Sequence, residues 1–138
     1  MSSMITSVTP FLMFEGDAEA ALSLYVQTIP GSNIISITRY GPGEAGTEGK
    51  VSMARANIGG VLEVMATDSY VKHAFNFTPS LSLFVNFKEE HGDGAIDRVV
   101  STLSEGGSVL MPLDNYGFSR RFAWVNDRFG VSWQLNLT

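Results

Sequence analysis

A chain of 138 residues with 44% hydrophobic residues can bury a core, and fits one domain or two small fused modules rather than a disordered segment. Its formal net charge of −5 argues against nucleic-acid binding, which needs a basic stripe, and gives no attraction to an anionic membrane surface. Cysteine is absent, which excludes disulfides, thiolate metal ligands and thiol nucleophiles.

Met1 to Ser7 lacks a basic region followed by an apolar one, so no signal peptide is read there. No apolar run approaches the roughly 20 residues of a bilayer span. The expectation is a soluble, cytoplasmic protein. Thr9 to Phe14 reads as a strand, with Pro10 at its start or on an edge because proline has no amide donor. Asp17 suits a helix N-cap, and Ala18, Ala21, Leu22 and Tyr25 keep the spacing of a buried helical stripe. Pro30-Gly31 ends that helix.

Asn33 to Tyr40 reads as a strand, followed by a glycine-rich loop from Gly41 to Gly49. That loop has no lysine-serine pair and no following helix, so it is no phosphate cradle. Lys50 to Asn57 and Val61 to Ala66 form a hairpin, and Thr67 to Pro79 connects two halves.

The second half repeats the order. Leu81 to Phe87 is a strand, and Gly92-Asp93-Gly94 opens a helix carrying Ile96, Val99, Val100 and Leu103 on one face. Gly106-Gly107 stops it. Val109 to Met111 is a short strand, Asp114 to Gly117 a turn, and Arg120 to Val125 another strand. In the final segment Val131, Trp133, Leu135 and Leu137 alternate with Ser132, Gln134 and Asn136, the period of a strand with two unlike faces. Glu63 and Gln134 each stand four residues after a glycine, Gly59 and Gly130, at matched places in the two halves.

The expected fold is therefore α+β. Two βαβββ modules, residues 1–70 and 71–138 of a single domain, form a curved eight-stranded mixed sheet with helices on the outer face. A ligand belongs on the inner, concave face.

Phe11-Leu12-Met13-Phe14-Glu15-Gly16-Asp17-Ala18 with Leu24-Tyr25 and Pro30-Gly31 resembles the opening of PhnB-like proteins, of the vicinal oxygen chelate superfamily that includes glyoxalase I and extradiol dioxygenases. Gly49-Lys50-Val51, Gly59-Gly60, Asp68-Ser69, Gly106 to Leu113 and Asp127 to Gln134 extend the resemblance over nearly the whole chain. Members often carry a demethylubiquinone-methyltransferase-like label. The resemblance implies the paired fold and commonly a homodimer that can exchange modules between chains. In its metal-using relatives, two side chains from each module, mostly histidine and carboxylate, hold a divalent ion. Here the first-strand places align with Thr9 or Pro10 and with Ser80 or Ser82, and the last-strand places with Glu63 and Gln134. The two histidines, His73 and His91, fall in predicted loops, and Met53 stands where PhnB-like members often place a histidine.

Glu63 reads either as a solvent carboxylate paired with Arg55 or, facing an apolar cavity, as an acid or base. Gln134 is either a structural hydrogen-bonder or a ligand contact. Met53, Met65, Trp124 and Trp133 are core or pocket side chains. Asp68 reads as a turn cap, and no serine has the setting of a catalytic triad. The leading expectation is a metal-independent protein without cofactor that binds a small, largely apolar or aromatic molecule through Met53, Arg55, Glu63, Met65, Trp124 and Gln134. The alternatives are a divalent-metal lyase, isomerase or dioxygenase, and an assembly role in which side chains fill the cavity.

Overall fold

The computed structural model describes residues 4–88 and 92–137. Its elements run β1 (Phe11–Phe14), α1 (Ala18–Thr28), β2 (Asn33–Arg39), β3 (Val51–Ile58), β4 (Leu62–Asp68), β5 (Ser82–Phe87), α2 (Gly92–Ser104), β6 (Ser108–Asp114), β7 (Arg121–Asn126) and β8 (Ser132–Leu137). The strands form two four-stranded sheets, ordered β1-β4-β3-β2 and β5-β8-β7-β6. In each, the first strand lies parallel to the last and the other pairs are antiparallel. The fold is the expected pair of βαβββ modules, each a mixed sheet with one helix. The chain divides into two units, Met1–Lys72 and His73–Thr138.

In the first unit α1 lies across the sheet. Its stripe of Ala18, Ala21, Leu22 and Tyr25 is fully buried, and small residues, Ala54, Ala56 and Ala66, pave the strands that it covers. Val51 and Val64 complete that face. The start of α1 differs from the expected local cap. Asp17 stands at the N-cap position but makes no side-chain capping bond. Instead Asp68, at the end of β4, accepts hydrogen bonds from the Gly16 and Ala18 amides on one carboxylate oxygen, each at 2.9 Å. Its other oxygen accepts from Val51 N at 3.0 Å. The carboxylate thus meets the amide donors that a helix N-terminus leaves unsatisfied and adds a favourable charge at the helix dipole. Pro10 precedes β1, which is an edge strand as expected, and the Pro10 carbonyl accepts from Met65 N at 2.9 Å.

The second unit is built alike. Ala95, Ile96, Val99 and Leu103 of α2 are buried, while Val100 is only half-buried. The helix lies against β7 and β8, where Ala123, Val125, Trp133 and Leu135 are fully buried. The alternation of β8 is therefore as expected, and Trp133 is a core side chain. β6 runs on through Pro112 to Asp114, further than the sequence suggests. It is an edge strand, and an irregular register between Met111 and Asp114 accommodates a residue that cannot donate to the ladder. Asp127 shapes the turn into β8, accepting from Phe129 N at 2.8 Å, Val131 N at 3.1 Å and the Trp133 indole at 2.9 Å.

Candidate functional site

Each sheet has one face under its helix and one face open. On the first sheet, β3 alternates from Ala54 to Ile58 and β4 from Glu63 to Asp68, so that the residues flanking Ala54, Ala56, Val64 and Ala66 project to the open side. Met53, Arg55, Glu63 and Met65 are among them. Register sets Arg55 beside Met65 and Met65 beside Phe11 of β1, with Met13 next along beside Thr67. Phe11 and Met13 stay 52% and 41% exposed, unusually open for residues of that size on a regular strand. Arg55 Nη1 donates to Glu63 Oε2 at 2.8 Å, with the two side chains 43% and 44% exposed. Glu63 is therefore a paired carboxylate, one of the two readings open at the sequence level. Asn57, the register partner of Glu63, keeps a buried Oδ1 without a hydrogen-bond partner among the described residues.

On the second sheet the open face carries Ser132, Gln134 and Asn136 of β8, each bonded to a neighbour. The Trp124 indole donates to Ser132 Oγ at 2.7 Å, Gln134 Nε2 to Ser82 Oγ at 2.9 Å, and Asn136 Nδ2 to Asn86 Oδ1 at 2.9 Å. Trp124 and Gln134 are register partners, so these two candidates also share one neighbourhood. Next to them an aromatic group assembles. Phe122 is buried by Phe118, Tyr116 and Phe84, with ring centroids 5.1, 6.0 and 6.1 Å away. Phe84 itself remains 52% exposed.

The structure thus gathers Met53, Arg55, Glu63 and Met65 on one open face, and Trp124 with Gln134 on the other. It adds Phe11, Met13 and Phe84, and it gives Ser82, one of the first-strand places, the role of accepting from Gln134. A signal for Phe11 and Met13 existed in Phe11-Leu12-Met13-Phe14, where four apolar residues on an edge strand must leave two off the helix side. The pairing of Ser82 with Gln134 had none, because the two lie 52 residues apart.

The metal that the resemblance implies does not fit these residues. Glu63 is already neutralised by a guanidinium, whose charge opposes a cation at that carboxylate. Gln134 is an amide held by Ser82, and Ser80 shares a hydrogen bond with Thr78 at 2.5 Å. One paired carboxylate, an amide and neutral hydroxyls are a poor donor set for a transition metal, which favours imidazole and unpaired carboxylate. Among the described residues no three His, Cys, Asp or Glu side chains are grouped to hold an ion. His73 stacks on Phe75, ring centroids 4.5 Å apart, and His91 lies outside the described residues.

A separate recess of about 560 Å³ opens at the start of α1, lined by Gly16, Asp17, Glu19, Glu48, Lys50 and Asp68 among others. None of the six candidate residues lines it. Lys50 Nζ bridges its wall to the Gly16 carbonyl at 3.0 Å, Glu19 is paired with Arg39 at 2.6 Å, and Asp68 is spent on backbone amides.

Residues 6–136 match the family model described as 3-demethylubiquinone-9 3-methyltransferase. A PhnB protein from Bacillus cereus is 45% identical, over 96% of this chain and 100% of that one, with a TM-score of 0.90. A Pseudomonas aeruginosa protein is 29% identical over 96% and 98% of the two chains, with a TM-score of 0.81. The fosfomycin resistance protein FosX of Listeria monocytogenes, 14% identical over 98% and 95% with a TM-score of 0.62, shares the fold. No curated protein matches.

Proposed function

The chain belongs to the PhnB-like 3-demethylubiquinone-9 3-methyltransferase family, and from that premise we propose that it is a metal-independent binder of a small, largely apolar or aromatic molecule. One observation carries the reading. The open face of the first sheet leaves Phe11 and Met13 52% and 41% exposed beside Arg55 and Glu63, and the open face of the second leaves Phe84 52% exposed beside Gln134. Apolar surface with a few convergent polar groups is the composition of a small-molecule site. Met53 and Met65 add side chains able to adapt to a ligand's shape.

The test is a thermal-shift and fluorescence screen of neutral aromatic compounds, run before and after exhaustive chelation. The expected result is stabilisation by at least one class, unchanged by chelator. Binding lost on chelation and restored by nickel, zinc, manganese or iron would return the chain to the metal-using reading. Stabilisation by no class would remove the site. The reading includes a cytoplasmic homodimer, supported by Val109 and Leu110, which stay 51% and 42% exposed on the edge strand β6. Light scattering at micromolar concentration checks the dimer, and a mass of 15.0 kDa would refute it. Among the described residues no helix is long and apolar enough to cross a membrane.

A further inference from the structure

The ion pair on the first sheet is placed oddly for a surface ornament. Arg55 has Met65 as its register partner and Met53 two residues away on the same face, and Phe11 and Met13 extend the apolar floor across β1. The pair shares its sheet face with thioethers and a ring. Among the described residues the guanidinium makes one hydrogen bond, Nη1 to Glu63 Oε2 at 2.8 Å, although the group carries five N–H donors in a planar fork. A single contact between groups 43% and 44% exposed is a weakly held one. The fork matches both oxygens of a carboxylate, and that bidentate geometry is stronger than the single bond to Glu63. With a net charge of −5 the chain as a whole repels anions, so a local cation must do the selecting.

We propose that this face takes a small, flat, apolar carboxylate, such as an aromatic monocarboxylic acid. Arg55 anchors the acid group, and Glu63 is an internal competitor that the ligand displaces. The inference rests on the small-molecule reading above and names the ligand class for that site. The aromatic body lies over Met53, Met65, Phe11 and Met13. Its carboxylate takes the guanidinium in bidentate fashion, and the Glu63 carboxylate turns into water, where it is fully solvated. Glu63 thereby sets a threshold: a ligand without an acid group cannot release the pair and binds beside it.

Calorimetry with 2-naphthoate, its neutral isostere 2-naphthamide and inorganic phosphate tests the proposal, on the intact chain and on two variants. The intact protein is expected to bind naphthoate at least tenfold more tightly than naphthamide, and phosphate more weakly than either. Glu63→Gln, which removes the competitor, should tighten naphthoate severalfold and leave naphthamide unchanged. Arg55→Gln should erase the preference for the acid while naphthamide still binds. A merely structural role for the pair would move both ligands together in both variants, and that result overturns the proposal. So does a naphthoate affinity weakened by Glu63→Gln, or phosphate binding as tightly as naphthoate. Equal binding of the two aromatics to the intact protein removes this inference and leaves the small-molecule reading standing. Binding of neither removes both.

Discussion

Asp68 shows how much a single side chain can hold. It is 3% exposed and accepts from three backbone amides, Gly16, Ala18 and Val51. Truncating it strands those donors in the interior, and each buried donor left unsatisfied costs about 1–3 kcal/mol. Asp68→Ala is therefore expected to lower the unfolding free energy by about 3 kcal/mol or more in urea. Asp68→Asn, which keeps one acceptor oxygen, should fall between the two. Glu63→Gln gives the contrast. Its ion pair is exposed, and the change should stay within about 1 kcal/mol, so altered binding in that variant is no folding defect. The sequence shows Asp68 as a turn residue and Asp17 as the helix cap, because capping rules look at neighbouring positions. Asp68 and Ala18 are 50 residues apart, and only the parallel pairing of β1 with β4 brings them together. The two readings of Glu63 were separated for the same reason: alternation along β4 assigns its face, but the Arg55 contact depends on the β3–β4 register.

At the scale of elements, both sheets were legible wherever one face is dry. β8 and both helices match their hydrophobic periods because a core packs against one side of each. The open faces left no such signature, since alternation names the residues on a face and not what they touch. Helix seating depends on small side chains. Ala54, Ala56 and Ala66 are fully buried under α1, so Ala56→Leu adds volume where nothing can retreat. The expected loss is about 1–3 kcal/mol by chemical denaturation, with α1 signals shifted first in amide spectra. Gly107 makes the same point through backbone. A Cβ there would lie 2.0 Å from the Asn126 carbonyl oxygen and 2.7 Å from the Asp127 carbonyl carbon. Gly107→Ala must push the start of β6 away from the end of β7, and a melting temperature equal to that of the parent would refute the close approach. In the sequence Gly106-Gly107 reads as a helix stop, and Gly106, at φ +75°, fits it; the second glycine answers to steric contact with a strand that comes later.

The whole molecule repeats one plan twice, and that repetition was readable in the order of its elements. Its two tryptophans differ by face. Trp133 is fully buried with its indole bonded to Asp127, whereas Trp124 is half-buried on an open face. Trp124→Phe should accordingly leave a blue-shifted emission from Trp133; an emission maximum that stays where the parent has it would refute the difference in burial between the two. With its net charge of −5 the protein should pass unretained through immobilised heparin near physiological salt. The Asp68 carboxylate has one more consequence. It is the last residue of β4, yet it completes hydrogen bonding that begins at Gly16, 52 positions earlier. During synthesis the first helix is complete at Thr28, well before its capping partner Asp68 is added. The amino-terminal unit can reach its finished state only after its closing strand has cleared the exit tunnel, so a stalled nascent chain cut just short of Asp68 is the form in which cellular proteases would find that helix undefended.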